Sequence, residues 1–235
     1  MNYAVLLAGG VGNRISSDVP KQYIRHKGMM MITYSLKTLI ESDCIQRICI
    51  VADPAWQSEI SEDLEKNGIP KEKFLCFAKP GVSNRQESIL SGLEEIEKHE
   101  KIEDSDTVLV HDAARPFLIG KLLTDIYEAL PGHDGVMPAL PMKDTVYLSI
   151  DGKSISELLD RNALYAGQAP ELFRMQPYLS ANRALLPDKI KKINGSSEPA
   201  VLYGMDIAVI RGDEKNFKVT TNEDLDRFIR VIDEL

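Results

Sequence analysis

The residues best suited to chemistry stand where cations lie beside glycine-rich or loop segments. Leu7-Ala8-Gly9-Gly10-Val11-Gly12-Asn13-Arg14 follows an apolar run, and Pro20-Lys21-Gln22 comes shortly after. Small residues at a strand end let the backbone approach a ligand closely, so that N–H groups can cradle phosphate. Arg14 and Lys21, at either end of a polar loop, suit a triphosphate attacked at its α-phosphorus. Two rival motifs fail here. A dinucleotide fingerprint requires a third small residue where this chain has Ile15, and a P-loop requires Gly-Lys-Ser/Thr, which is absent. A purely structural turn is the plain alternative. A second cluster, His111-Asp112-Ala113-Ala114-Arg115-Pro116, follows the apolar run 107–110. Asp112 therefore falls at the carboxyl edge of a strand, where open α/β sheets bind ligands.

Those positions require a framework. Tyr3–Ala8, Arg47–Ala52, Phe74–Phe77 and Thr107–Val110 read as buried strands. Between them, Tyr34, Leu36, Leu39 and Ile40 form one helical stripe, Ile60 and Leu64 a second, and Ile89, Leu90, Leu93 and Ile96 a third. Strand alternating with helix implies βαβ units, right-handed crossovers and a mostly parallel sheet flanked by helices. The order breaks near residue 140. Thr145–Ser149, Asp151-Gly152 and Ser154-Ile155-Ser156 read as a hairpin with an Asp-Gly turn. It belongs to a β-arm over about residues 144–166 that projects from a single domain spanning 1–235. A final helix is expected over 222–235, with Glu223 and Asp224 in its first turn. Lys218 falls in a strand-like Asn216–Thr220 segment.

Bulk properties narrow the partners. The chain has 235 residues, 43% hydrophobic and 27% charged, an ordinary globular composition. Its net charge of −8 disfavours general nucleic-acid binding, which works by neutralising phosphates. Basic residues confined to loops suit a small polyanion in a local pocket instead. No apolar run approaches the roughly 18 residues of a membrane span. Met1-Asn2-Tyr3 leads into an apolar strand without a basic segment, so no secretory signal is expected. Cys44, Cys49 and Cys76 lack metal spacing and read as reduced core thiols of a cytoplasmic protein.

Taken together, AGGxGxR and PKQ resemble the signature of sugar-nucleotide pyrophosphorylases and related nucleotidyltransferases. With Gly81–Ser88 (GVSNRQES), HDAARP, Pro141–Thr145 (PMKDT), Asp160-Arg161 and Asn216–Thr220 (NFKVT) in matching order, nearly the whole chain resembles the methylerythritol-phosphate and ribitol-phosphate cytidylyltransferases. The resemblance implies a Rossmann-like sheet with a β-arm exchanged in a homodimer. It implies transfer of CMP from CTP to a small polyol phosphate, with Mg²⁺ and release of pyrophosphate. By the same resemblance, Arg14, Lys21 and Lys218 are catalytic, and Asp112 holds the metal. Leu7, Ala8, Gly9, Gly10, Gly12, Gly81, Arg85, Ser88, Asp112 and Ala113 contact the nucleotide. Asp112, Arg115, Asp144, Thr145 and Arg161 contact the acceptor, Arg161 reaching that of the partner subunit. Arg85 has a structural alternative, a helix-face charge bridging to a carboxylate. His111 reads as structural, because an acceptor phosphate is already ionised and requires no general base.

The acceptor is less legible. Alanines at 113 and 114 resemble the methylerythritol-phosphate enzymes, whereas Leu7–Gly10 and Tyr165–Gln168 resemble the ribitol-phosphate side. Both groups usually carry Thr at the position of Ala169 and Thr-Asp at that of Asn194-Gly195. A site without that hydroxyl and carboxylate should read a different hydroxyl pattern. A linear alditol phosphate such as ribitol 5-phosphate is the favoured acceptor, with 2-C-methyl-D-erythritol 4-phosphate the alternative. Outside this class stand a nicotinamide-dependent oxidoreductase, for which Asp53 would be the acidic residue after the second strand, and a non-catalytic nucleotide-binding protein.

Overall fold

Apolar runs and amphipathic segments alternate along the chain, and the structure pairs the former into one central sheet. The computed structural model describes residues 1–10, 15 and 17–234. In chain order come Asn2–Leu7 (β1), Arg25–His26 (β2), Met29–Met30 (β3), Met31–Glu41 (α1), Arg47–Val51 (β4), Pro54–Lys66 (α2), Phe74–Ala78 (β5), Arg85–His99 (α3) and Thr107–Asp112 (β6). There follow Gly120–Glu128 (α4), Gly135–Pro141 (β7), Val146–Leu148 (β8), Glu157–Leu159 (β9), Tyr165–Gly167 (β10), Glu171–Arg174 (β11), Met175–Arg183 (α5), Ser197–Leu202 (α6), Ile207–Arg211 (β12) and Asn222–Glu234 (α7).

The sheet order is β10-β7-β11-β6-β1-β4-β5, with β12 also on β7. β1 pairs in parallel with β4 and β6, and β4 with β5. β11 enters antiparallel between β6 and β7. The sheet is mixed, with its parallel half where the sequence places it. Alternate residues of β1 face opposite layers. Ala4 and Leu6 pack with α1, α2 and α4, while Tyr3 and Val5 pack with α3 and α5. Burial on both faces explains why β1 is continuously apolar rather than alternating. A third, smaller cluster seats α7 through Phe228 and Ile232 against Met31 and Val219.

α3 matters most for the site. Asn84 caps it by accepting from the Glu87 amide at 3.0 Å. Its apolar stripe, Ile89, Leu90, Leu93 and Ile96, is buried on the sheet. Gly92 lets the helix lie close, since a Cβ there would come within 2.8 Å of Val5 and 3.0 Å of Val51. The first turn, carrying Arg85 and Ser88, is thereby fixed beside the ends of β1 and β6.

Two local readings change. The hairpin loop is longer than an Asp-Gly turn. The Asp151 carboxylate accepts from the amides of Lys153 and Ser154, each at 2.9 Å, so Ser154–Ser156 lie in the loop. β9 then pairs Leu159 with Val146 and Glu157 with Leu148. Asn216–Thr220 is not a strand. It is an extended loop tied by the Val219 amide to the Ala114 carbonyl at 2.8 Å, and the neighbouring strand is β12. Cys49 and Cys76 are buried, register-paired on β4 and β5, and free, as is half-buried Cys44. Among the described residues no helix is long and apolar enough to cross a membrane.

The seating of α3 is testable. Gly92→Val overpacks the contact with Val5 and Val51 and should destabilise the protein by about 1–3 kcal/mol. A lowered urea midpoint with an unchanged slope is the expected result.

Candidate active site

Segments leaving the carboxyl ends of β1, β5 and β6 converge there with the loop after β12. They line a cavity of about 490 Å³ with Leu7, Gly9, Gly10, Lys21, Gln22, residues 81–85, Ser88, Asp112, Ala114, Lys218 and Thr220. Among these described residues three cations, Lys21, Arg85 and Lys218, stand against one carboxylate, Asp112. On a chain of charge −8 this is a local positive pocket, as a small polyanion requires.

Each wall has a local cause. The Gly9-Gly10 turn is held from below by buried Gln22, whose Nε2 donates to the carbonyls of Ala8 at 2.6 Å and Gly10 at 2.8 Å. The Tyr23 hydroxyl also donates to Ala8 O at 2.7 Å, while its ring stacks on Trp56. Opposite, the Gly81 amide donates to Ser88 Oγ at 2.9 Å. Only glycine fits at 81, because a Cβ would lie 2.3 Å from Glu87 Cβ and 2.6 Å from Ser88 N. The N-terminus of α3, with its partial positive charge, opens on the cavity at Asn84 and Arg85.

Asp112, 6% exposed, is the hub. Its Oδ1 accepts from Arg85 Nε at 2.8 Å, its Oδ2 lies 2.8 Å from Lys218 Nζ, and Arg115 Nε stands 3.9 Å away. Burial alone would raise its pKa, but Arg85, Lys218 and Arg115 hold it well below the usual carboxylate range. Burial would likewise lower the Arg85 pKa, but Asp112 and Glu171 hold that guanidinium above its ordinary value. Arg115 is pulled down by burial. His111 is fully buried, its Nε2 3.2 Å from Arg115 O, and burial pushes it down to about 4. It faces the core beneath Asp112 and does not line the cavity.

The other sequence candidates are placed unequally. Lys21, Leu7, Gly9, Gly10, Gly81, Arg85, Ser88, Asp112 and Lys218 share the cavity wall. Ala8 lies just beneath, its carbonyl taken by Gln22 and Tyr23. Ala113 is fully buried with its amide on Leu7 O at 3.0 Å, so Ala114 takes its place on the wall. Arg115 lies behind Asp112 and donates from Nη1 to Asn216 O at 2.6 Å. Asp144, Thr145 and Arg161 are exposed on the arm, away from this cavity, with Arg161 Nη1 on Lys143 O at 3.0 Å. Gly12 and Arg14 lie outside the described residues. Sequence reading missed Gln22, Val82, Ser83, Asn84, Ala114 and Thr220. For Asn84 the signal was present, an Asn directly before a helical stripe. Asp53 caps α2 by accepting from Ala55 N at 2.9 Å, which commits it locally and removes the feature that a nicotinamide site would use.

The family model for 2-C-methyl-D-erythritol 4-phosphate cytidylyltransferase (IspD) matches residues 2–231. A bifunctional enzyme IspD/IspF of Maricaulis maris is 33% identical over 233 residues, covering 97% of this chain, which spans only 56% of that protein's length. A ribitol-5-phosphate cytidylyltransferase of Lactiplantibacillus plantarum is 28% identical over 226 residues, covering 96% of this chain and 95% of that one. In fold, the chain superposes on a 4-diphosphocytidyl-2C-methyl-D-erythritol synthase of Anaerococcus prevotii with a TM-score of 0.81, at 23% identity, over 99% of this chain and 96% of that one. The mostly parallel, Rossmann-like sheet is shared. By its sequence along nearly its full length, this chain belongs to the 2-C-methyl-D-erythritol 4-phosphate cytidylyltransferase family of CTP-dependent nucleotidyltransferases.

Proposed function

We propose that the cavity binds CTP and that the enzyme transfers its CMP moiety to the phosphate of a linear alditol phosphate, ribitol 5-phosphate or a relative, releasing pyrophosphate. The observation that carries the transfer reading is the gathering of Lys21, Arg85 and Lys218 around a single ionised carboxylate at the strand ends. Both reactants are anions. Catalysis must therefore come from positioning and charge neutralisation rather than proton transfer. An acceptor phosphate oxygen attacks the α-phosphorus in line, and the bond to pyrophosphate breaks opposite. Lys218 and Lys21, with Arg14, stabilise the charge that grows on the transferred phosphoryl group. Gly81 and Ser88 bound the nucleoside side of the cavity.

Mg²⁺ in such sites is held by one or two carboxylates together with substrate phosphates. Asp112 alone on the wall fits that donor set, and no group of three protein ligands is assembled among the described residues. Bound there, the ion would neutralise phosphate charge.

For the acceptor, Ala169 carries the argument. Where the resemblance expects a threonine, this buried residue offers only a methyl, and its carbonyl is taken by Asn216 Nδ2 at 2.8 Å. Asn194 and Gly195 are exposed and bring no carboxylate. Full-length relatives that act on ribitol 5-phosphate support the same choice. The higher identity of the bifunctional relative favours 2-C-methyl-D-erythritol 4-phosphate as the second reading.

We also infer a homodimer. Tyr147, Leu148, Ile150, Ile155 and Leu158 expose apolar surface along the arm, more than an isolated hairpin keeps in water. Arg161, Asp144 and Thr145 sit on that arm, away from their own cavity, as residues serving a partner's acceptor would. Free thiols at Cys44, Cys49 and Cys76 accord with a reducing, cytoplasmic setting.

Pyrophosphate release with CTP, Mg²⁺ and a panel of ribitol 5-phosphate, arabinitol 5-phosphate, a hexitol phosphate and methylerythritol phosphate tests the reading. Release with one alditol phosphate is expected, and release with methylerythritol phosphate alone would sink the acceptor choice. Lys218→Ala and Lys21→Ala should each lower kcat on the order of 10²–10³-fold. For the dimer, mixing Arg161→Ala with Lys218→Ala protomers should restore part of the activity that each lacks, because one mixed site keeps both side chains. No recovery on mixing would count against the shared site.

Two pH results follow from the site electrostatics. Asp112 stays ionised and His111 neutral across about pH 6–8, so neither should give an inflection in kcat there. In stability, the unfolded chain protonates His111 near 6.5 while the folded chain resists until about 4. The unfolded state thus binds more protons in that window, and stability falls as pH drops through it. His111→Gln should flatten that part of the pH–stability curve in urea titrations.

A further inference from the structure

Behind Arg85 lies a second carboxylate that the transfer chemistry does not use. Glu171 opens β11 and is 8% exposed. Antiparallel pairing sets it opposite Val110, two residues before Asp112 on β6. Its Oε2 accepts from the hydroxyl of Ser197, the first residue of α6 and the neighbour of Ser196. The Ser196 oxygen accepts in turn from Arg85 Nη1, while Arg85 Nε donates to Asp112 Oδ1.

A hydroxyl has one proton to give. Ser197 gives its proton to Glu171, which ties the start of α6 to β11 and so sets where Ser196 stands against the guanidinium. The backbone of Ser196 is pinned as well, its carbonyl accepting from the Tyr178 hydroxyl at 2.7 Å. The result is a buried chain of contacts from the Glu171 carboxylate through the adjacent Ser197 and Ser196 to the Arg85 guanidinium and Asp112. Burial pushes the Glu171 carboxyl up, while Ser197 and Arg85 draw it back. Glu171 is absent from the cavity wall and so acts only through its neighbours.

We propose that Glu171 is a positioning residue: through Ser196 and Ser197 it holds the Arg85 guanidinium on Oδ1 of Asp112, which leaves Oδ2 facing Lys218 and the phosphates. The consequence for the reaction rests on the cytidylyltransferase reading above, whereas the geometric claim does not.

The test compares wild type with Glu171→Ala, Glu171→Gln and Ser196→Ala. Pyrophosphate release, CTP binding by calorimetry, and the NMR signal of the Arg85 Nε–H, identified by its loss in Arg85→Lys, are measured on each. Supporting partners behind a reacting site are typically worth about 10–100-fold. Glu171→Ala and Ser196→Ala should lower kcat by that order, with the Kd for CTP changed by less than about threefold. The Arg85 signal should lose its protection from exchange in both. Glu171→Gln keeps an acceptor for Ser197 and should restore most of kcat and of the protection. Unchanged kcat and an unchanged Arg85 signal in Ser196→Ala would overturn the inference, even if Glu171→Ala failed to fold. So would a Glu171→Gln protein as impaired as Glu171→Ala. Silence of the wild type with CTP and every acceptor would refute the transfer reading alone, because the Arg85 signal would still decide the chain of contacts.

Discussion

The site depends on one buried carboxylate kept ionised. Asp112 lies at the end of a fully buried strand, where desolvation by itself would neutralise it. Arg85 and Lys218 reverse that outcome, and in doing so the three side chains fix one another. The arrangement draws on three distant parts of the chain: the first turn of α3, the end of β6, and the loop after β12. A buried charge cluster of this kind adds little net stability, since each ion gives up its hydration. Its retention is better understood as geometry. It holds two cations at the mouth of a cavity where their mutual repulsion would otherwise drive them apart.

The surrounding architecture serves that requirement. β1 is sandwiched between two apolar layers, which makes the turn at Gly9-Gly10 the end of a rigid element rather than part of a loose loop. Gln22 and Tyr23 brace the same turn from behind. Gly92 brings α3 close to the sheet and Gly81 brings the facing loop close to α3, so both walls are set by contacts in which a methyl group would intrude. Preorganisation suits a reaction between two anions, where a precisely spaced set of charges replaces any proton transfer.

Much of this was legible in the residues. The parallel half of the sheet and the helices between its strands follow from apolar periodicity, and their observed ranges lie close to the expected ones. The cavity residues came from glycine-rich and charged segments at strand ends, a local signal. What escaped reading depends on long-range partners. Gln22 looks like an ordinary polar residue until its carbonyl partners are seen. β11, inserted antiparallel between β6 and β7, is short and carries Glu171, so its sequence does not announce a central strand. Ala113 and Ala114 are indistinguishable by type, and only the turn after β6 decides which faces the cavity. The hairpin loop was misjudged because the Asp151 side chain competes for amides that a tighter turn would give to the ladder.

The arm is built differently from the rest. β8 and β9 pair only with each other, and the arm joins the main sheet through the short β10–β7 ladder. On the reading proposed above, the two halves of the reaction draw on different pieces of chain: a core that handles the nucleotide, and an appendage that adds acceptor contacts and shares only the β10–β7 ladder with the main sheet. A lineage could exchange one acceptor for another by altering the appendage and a few bordering loops. The diversity of acceptors within one family is then a property of how its load is divided.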